Sequence, residues 1–148
     1  MKISAKGRYA IAAMIRIAGR SAENVSVLSI AGGLGISKVY LEQVFTQLKK
    51  AELLKSVKGA RGGYQLSRPA SKISVWEVLL AVETSLSETS DEVKTVGDGA
   101  PEIERALKDK VLNALDKAVR DSMSSVNIAE LLDYSEHQSH EQFYMMGL

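Results

Sequence analysis

The sequence predicts a mainly α-helical fold with one small β-hairpin, which places the chain in the α+β class. Two stretches carry this prediction. Residues 36–66 contain a turn, an amphipathic helix and a hairpin with a basic, glycine-rich tip. Residues 101–125 repeat apolar side chains every four positions, as one long helix would. We therefore expect a packed domain at 1–83, a flexible loop at 84–100, a long helix with a short following helix at 101–133, and a tail at 134–148.

The helix within residues 36–66 has one apolar and one polar face. Ser37 follows the apolar step Gly35-Ile36 and occupies the position of a helix N-cap. The apolar side chains recur at i, i+3, i+4 and i+7, and they are Leu41, Val44, Phe45 and Leu48. The opposite face carries polar side chains and one methyl-bearing group: Lys38, Val39, Glu42, Gln43 and Thr46. Such side chains can read base edges in the major groove of DNA.

A short hairpin follows this helix. Strands at 54–58 and 64–66 flank a glycine-rich segment at 59–63, and the tip carries Lys58 and Arg61. A helix followed by such a hairpin is a winged helix-turn-helix, with the hairpin as the wing. Taken separately, a polar helix face is typical of any surface helix, and a basic glycine turn is typical of solvated charges. A polar-faced helix that is followed directly by a basic, glycine-rich hairpin favours DNA binding.

The net charge of +1 conceals an uneven distribution along the chain. Residues 1–72 hold thirteen Lys or Arg against three acidic residues, a net of +10, whereas residues 73–148 hold six against fifteen, a net of −9. Such asymmetry is typical of nucleic-acid binding by the basic half, although an acidic surface or a membrane would attract it too. The charge distribution therefore supports DNA binding by the first half.

The segments before residue 36 complete the predicted domain. A basic N-terminal arm consists of Lys2, Lys6 and Arg8. Ser4 can cap a first helix that runs to about Arg20, with a buried stripe formed by Ile11, Met14, Ile15 and Ala18. A short strand at 25–27 can pair with the wing, and a second helix is expected at 28–34. Gly35 then supplies the tight turn before the polar-faced helix.

Several short motifs are spread over this first half. They are Lys6-Gly7-Arg8-Tyr9-Ala10, Ile36-Ser37, Tyr40-Leu41-Glu42-Gln43, Lys55-Ser56-Val57-Lys58-Gly59 and Gly62-Gly63-Tyr64. Together they resemble the Rrf family of bacterial winged-helix transcription regulators. The likeness is dense over residues 1–83 and looser beyond, and it is closest to the CymR-like type, which has no iron–sulfur cluster. The resemblance implies a homodimer that binds imperfect palindromes in double-stranded DNA.

The resemblance also implies which residues contact DNA. Val39, Glu42 and Gln43 match positions that face bases in the family, and Lys58 and Arg61 match wing positions near the minor groove. With the arm and the rest of the polar face included, the expected DNA-binding set is Lys2, Lys6, Arg8, Ser37, Lys38, Val39, Tyr40, Glu42, Gln43, Thr46, Lys58, Gly59, Arg61 and Gly62.

The chain contains no cysteine, which excludes disulfides, thiolate metal sites and cysteine nucleophiles. In cluster-binding members of the family the region matching 84–100 supplies three cysteines, so this chain is expected to carry no iron–sulfur cluster and no other cofactor. His137 and His140 are three residues apart and can share a helical face, but no third ligand is evident near them. We therefore do not expect a metal site.

The second half of the chain is predicted to form a dimerisation arm. Pro101 suits the first position of a helix, and the apolar stripe of that helix is Ile103, Leu107, Val111, Leu115 and Val119. A helix of this length exceeds what the first domain needs for its own core, so dimerisation is the favoured role, as in the family. A helix within the chain's own core is the alternative. Asn127 and Glu130 then form a capping pattern for a short helix at 128–133.

The last residues are unusually apolar for a chain terminus. They include Phe143, Tyr144, Met145, Met146 and Leu148. This segment either packs on the protein's own surface or binds a partner. The resemblance to the CymR-like type points to cysteine synthase as that partner, since regulators of that type take their signal from this enzyme.

These observations predict a sequence-specific DNA-binding regulator, a homodimeric repressor of cysteine or sulfur metabolism genes. One alternative is a protein-interaction module that uses a winged helix without specific DNA recognition, and another is a regulator that responds to a small-molecule ligand in another process. An enzyme is not expected, since no nucleophile–base pair, phosphate loop or metal constellation is present. A cytoplasmic location is expected, because no long apolar run and no signal peptide are found.

Overall fold

The computed structural model describes residues 3–20, 22–83, 86 and 99–147. In chain order the elements are α1 (Ala5–Ala18), α2 (Val27–Leu34), α3 (Lys38–Lys50), β1 (Leu54–Val57), β2 (Gly63–Leu66), α4 (Val75–Val82), α5 (Pro101–Leu107), α6 (Asn113–Ser124) and α7 (Ile128–Met145). This arrangement confirms the predicted class, mainly helical with a small hairpin. The predicted loop at 84–100 lies almost wholly outside the described residues, as do Lys2 and Leu148.

The core lies where α1, α2, α3 and α4 meet. The predicted apolar face of α3 is fully enclosed, with Leu41, Val44, Phe45 and Leu48 all 0% exposed. In α1 the stripe is partly different from the prediction, because Ile11 and Ile15 are only half-buried. The deeper positions of α1 are Ala10, Ala13, Met14, Ile17 and Ala18. Since α1 also packs against α7, it has two apolar faces, and the predicted stripe took Met14 and Ala18 from the deeper face but Ile11 and Ile15 from the shallower one.

Polar N-caps begin most of these helices. The side chains that accept a backbone N–H at this position are Ser4, Ser26, Ser37, Ser74 and Asn127. The predicted cap Ser4 is held in turn by Glu83, whose carboxylate accepts from the Ser4 backbone N–H at 3.0 Å. Helix α1 ends at Ala18, two residues before the predicted Arg20, and Gly19 caps it. These caps satisfy backbone donors that a helix N-terminus otherwise leaves unpaired.

The turn between α2 and α3 depends on Gly35. This residue has φ 68° and its N–H returns to the carbonyl oxygens of the last turn of α2. Residues with a side chain avoid this left-handed region, so the sequence places glycine where the chain must reverse. Gly32 lies in the middle of the same helix, where glycine is a poor helix former.

Two alanine substitutions, three residues apart, should therefore change stability in opposite directions. Gly32→Ala is expected to stabilise the free protein by about 1 kcal/mol, whereas Gly35→Ala is expected to destabilise it by roughly 1–2 kcal/mol. A Cβ at either position has no neighbouring atom within 4 Å, so backbone conformation alone sets the sign. Urea denaturation of the two variants measures the difference. Shifts of the same sign would contradict this interpretation of the turn.

The wing is an antiparallel hairpin in which Leu54 pairs with Leu66 and Val57 with Gly63. One residue outside the hairpin joins it: the Val25 N–H donates to the Tyr64 carbonyl at 3.0 Å, and the Tyr64 N–H donates back at 2.8 Å. The predicted strand at 25–27 is therefore wrong beyond Val25. Ser26 caps α2 and Val27 begins it, because the capping bond takes over from strand pairing at that point.

The long helix is confirmed in outline but not as one regular helix. Pro101 begins α5, as predicted, and a π-helical turn at Lys108–Leu112 joins α5 to α6. A π turn inserts an extra residue into the helix and rotates the side chains that follow it, so the four-residue repeat does not map onto one straight line. No helix within the described residues is long and apolar enough to cross a membrane.

The helix predicted at 128–133 is present but longer than expected, and the tail predicted at 134–148 is helical as far as Met145. Asn127 caps α7 as expected, but the helix continues for 18 residues to Met145. The stretch after residue 133 has no glycine or proline before Gly147 and is rich in Glu and Gln, which are good helix formers. Gly147, with φ 70°, lies just beyond the end of the helix.

The starts of α4 and α7 lie side by side. The Val75 N–H donates to the Val126 carbonyl at 2.8 Å, and the Ile128 N–H donates to the Ile73 carbonyl at 3.0 Å. This pair of bonds anchors the C-terminal helices to the first domain. Ser74 and Glu77 form a capping box beside it. Burial raises the pKa of Glu77, but hydrogen bonds from Ser74 and Arg68 outweigh burial and hold it below the ordinary 4.5.

Candidate DNA-binding surface

Helix α3 presents a polar face on the side opposite its buried stripe. Val39, Glu42, Gln43 and Thr46 are exposed and follow the i, i+3, i+4, i+7 spacing of one helical face. Val39 is 66% exposed although its side chain is entirely apolar. An apolar methyl among hydrogen-bonding groups is the combination that can distinguish a thymine methyl from other base edges. We call these four residues the reading face.

The reading face keeps its hydrogen-bonding capacity in the free protein. Glu42 and Lys38 form an ion pair with a 3.7 Å separation, and both side chains are about half exposed. Such a pair contributes little, so Glu42 can exchange it for a DNA contact at small cost. The Thr46 hydroxyl donates to the Glu42 carbonyl at 2.9 Å and still has lone pairs with which to accept.

Two residues of the expected DNA-binding set have structural contacts in the protein. The Ser37 hydroxyl accepts the Tyr40 N–H at 3.1 Å and so begins α3. The Tyr40 ring is half-buried and meets the Tyr9 ring edge-on, with 5.9 Å between the ring centroids. The cap fixes where α3 begins, and the ring contact fixes how α3 sits on α1, so together they position the reading face.

The wing tip combines exposed cations with two glycines at which any side chain would be strained. Lys58 and Arg61 are both exposed. Gly59 has φ 112°, outside the range of residues with a side chain. A Cβ on Gly62 would collide with the Val57 carbonyl and lie 2.8 Å from the Gly59 carbonyl oxygen. The glycines therefore allow a sharp tip that carries two basic side chains.

Asn24 holds this tip in place, which the sequence analysis missed. Its Nδ2 donates to the Arg61 carbonyl at 2.8 Å, and its Oδ1 accepts from Gln65 at 2.5 Å. A second link joins the helix to the wing, since Lys49 Nζ donates to the Ser56 hydroxyl at 2.8 Å. The only sequence signal was an asparagine directly before a strand, which fits many kinds of loop.

The N-terminal arm is only partly described. Lys2 lies outside the described residues, Lys6 is half-buried and Arg8 is exposed on the first turns of α1. The structure thus joins α3 to the wing through the bond between Lys49 and Ser56, and Arg8 is the exposed cation of the described part of the arm. The DNA contacts of all these residues stay predictions.

This geometry agrees with comparisons to known proteins. A family model described as Rrf2, iron-dependent transcriptional regulator, matches residues 3–134. The chain belongs to the Rrf2 family. An Rrf2 relative from Erwinia tasmaniensis, the HTH-type transcriptional regulator IscR, is 36% identical over 137 residues, which cover 92% of this chain and 81% of that protein. This Rrf2 chain is a DNA-binding transcription regulator and not an enzyme.

Solved structures give the same result. IscR of T. potens has a TM-score of 0.70 and 31% identity, and the match covers 93% of this chain and 90% of that one. CymR, described as the global cysteine regulator of B. subtilis, has a TM-score of 0.73 and 31% identity, with 90% and 98% of the two chains covered. The Rrf2 winged-helix fold is therefore shared along nearly the whole chain.

The family description raises the question of iron. Iron–sulfur clusters are held chiefly by cysteine thiolates, and this Rrf2 chain has no cysteine. Among the described residues, no group of three His, Cys, Asp or Glu side chains is placed to hold a metal ion. His137 lies with its Nδ1 2.8 Å from the Asp133 carbonyl oxygen of its own helix. The donor set does not fit a cysteine-ligated cluster, so we derive no function from one.

Proposed function

We propose that this chain binds imperfect palindromes in double-stranded DNA as a homodimeric repressor in the cytoplasm. The observation that carries the proposal is the exposed reading face beside a basic wing, within a chain half whose net charge is +10. The palindrome follows from two-fold symmetry, because two copies of α3 would enter successive major grooves about 34–36 Å apart. Repression follows where such a site overlaps a promoter.

The apolar stripe of α5 and α6 supports the homodimer. Ile103, Val111 and Leu115 are 51%, 51% and 45% exposed, and Leu107 and Val119 are half-buried. Large apolar side chains that are open to water along α5, the π turn and α6 are typical of an interaction face. A second copy of the same stripe offers a self-complementary partner, as two-fold symmetry requires.

The test uses matched duplexes. A DNA site selected by the protein is cut to one half, and the binding of full and half sites is compared by fluorescence anisotropy. We expect two chains per full duplex and an affinity for the half site lower by about a hundredfold, since only one of the two α3 helices can then bind. One chain per full duplex, with equal affinity for both duplexes, would contradict a homodimer on a palindrome.

We propose further that the regulator carries no iron–sulfur cluster and controls cysteine or sulfur metabolism genes. The absence of cysteine and the resemblance to the CymR-like type support this assignment. Protein purified without oxygen should be colourless, and its DNA affinity should be the same with and without oxygen and iron. A stoichiometric cluster in such a preparation would overturn the proposal.

The end of α7 supports a protein partner, for which the resemblance suggests cysteine synthase. Phe143, Tyr144, Met145 and Met146 are 54%, 81%, 88% and 71% exposed. Because α7 remains helical to Met145, the apolar side chains are presented on a helix end and not on an extended segment. A helix end with aromatic and methionine side chains can enter a groove on another protein.

Deletion of residues 143–148 is expected to leave dimerisation and intrinsic DNA affinity unchanged, because Phe143, Tyr144, Met145 and Met146 are largely exposed. Binding of cysteine synthase, and its effect on DNA affinity, should be abolished. Replacing Glu141 and Gln142 with alanine, directly before the deleted segment, is the matched control and should keep the response. If the shortened protein becomes monomeric or unfolds, the segment is structural and the partner proposal loses its support.

The two alternative functions differ in how well they fit the DNA-binding surface. A winged helix that binds only proteins would need no basic surface, so the charge of the first half disfavours it. A regulator that responds to a small molecule is compatible with the same surface.

A further inference from the structure

A groove of about 660 Å³ opens between α1 and α7, apart from the reading face and the wing. Its floor is apolar and includes Ile15, Leu34 and Leu132, which are half-buried against the core. Gly19 borders this floor, since a Cβ there would lie 3.4 Å from a methyl carbon of Leu132, an ordinary van der Waals contact. The volume lies within the range of pockets that bind small molecules.

The rim of this groove carries unused hydrogen-bond donors. Arg16 lies in the last turn of α1 and Arg20 lies two residues beyond its end, while Ser139 and His140 line the groove from α7. Among the described residues, the Arg16 guanidinium and the Ser139 hydroxyl have no hydrogen-bond or ion-pair partner. Arg20 uses one nitrogen, which donates to the Ser29 hydroxyl at 3.2 Å. Donors without partners therefore surround an apolar floor.

The charge of the rim selects the kind of ligand. Two arginines line the groove against one acidic residue, Glu136. A guanidinium binds a carboxylate through two parallel hydrogen bonds, which gives both geometry and affinity. A cation would meet two like charges, and an uncharged apolar molecule would leave the donors unused.

We propose that this groove binds a small amphiphilic carboxylate. The carboxylate lies against Arg16 and Arg20, and the apolar body covers Ile15 and Leu132. Leu34, the last residue of α2, is also part of the floor, so the ligand contacts the helix-turn-helix directly. The inference goes beyond DNA binding, and it can be tested without DNA.

The test compares three probes that share one apolar chain. Isotope-labelled full-length protein is titrated with sodium octanoate, octan-1-ol and octylammonium chloride while backbone amide resonances are followed. Octanoate should shift the amides of Ala12, Gly19, Leu132 and Ser139. It should bind roughly tenfold more tightly than octylammonium, as expected for a charge-assisted contact.

Two variants separate the groove from a general charge effect. Arg16→Gln should weaken octanoate binding roughly fivefold or more and leave octan-1-ol binding unchanged. Arg120→Gln removes the same charge from α6 and should change neither. The proposal would be overturned if the three probes bound with equal affinity, if the shifts were confined to other residues, or if the two variants had equal effects. The absence of any shift, as when a second copy of the chain fills the groove, would overturn it too.

Discussion

Replacing both Val111 and Leu115 with glutamate should convert the protein to monomers and lower its affinity for a palindromic duplex by about a hundredfold or more. The two side chains are 51% and 45% exposed, so the single chain can tolerate the change. In a dimer they would be buried, where unpaired carboxylates are very costly. Light scattering and anisotropy with the full duplex measure the two effects.

The control for this variant adds charge on the other side of the same helices. Arg105→Glu and Lys117→Glu together change the net charge by more than the test variant does, at exposed positions outside the stripe. Lys117 pairs with Asp121 one turn away, a surface pair of little energetic weight. The control should stay dimeric. A dimeric test variant with normal DNA affinity would place the interface elsewhere.

Replacing Lys58 and Arg61 with alanine should weaken DNA binding and make it less dependent on salt, which is the second largest effect that we expect. The slope of log affinity against log salt is negative, and its magnitude falls by about 0.9 for each phosphate that the wing no longer neutralises. The double variant should therefore reduce the magnitude of the slope by up to about 1.8. Affinity at low salt should fall for all DNA sequences, because phosphate groups carry no base information. Both side chains are exposed, so the fold should be unaffected.

Lys72→Ala with Lys117→Ala removes two exposed cations away from the wing and provides the control. The slope should then stay close to that of the unmodified protein. An unchanged slope in the Lys58 and Arg61 variant would mean that the wing does not contact DNA. An affinity that does not depend on salt at all would contradict DNA binding by the basic half.

The parts of the fold predicted correctly are those with strong local signals. The buried face of α3 follows from four apolar residues at helical spacing, and the wing follows from glycines between two short strands. The cap at Ser37 and the turn at Gly35 have equally local chemistry. Periodicity and capping are properties of neighbouring residues, so they can be recognised before the fold is known.

The parts that were missed depend on distant contacts or on weak signals. Asn24 reaches Arg61 and Gln65, about forty positions away, and no local pattern reveals that contact. The deeper face of α1 consists largely of alanines, which give a weak apolar signal until α7 is known to cover the other side. Helix α7 was predicted to be too short, because its polar stretch resembles a tail although its composition favours a helix.

The most direct test of sequence recognition is selection of bound DNA from a random pool by the unmodified protein and by Glu42→Ala. We expect an imperfect palindrome for the unmodified protein. In the variant, base preference should be relaxed at one symmetric pair of positions, because a carboxylate can accept from cytosine N4. Glu23→Ala, an exposed acid outside α3, should leave the motif unchanged. An identical motif for Glu42→Ala, or no enriched motif at all, would contradict base readout by α3.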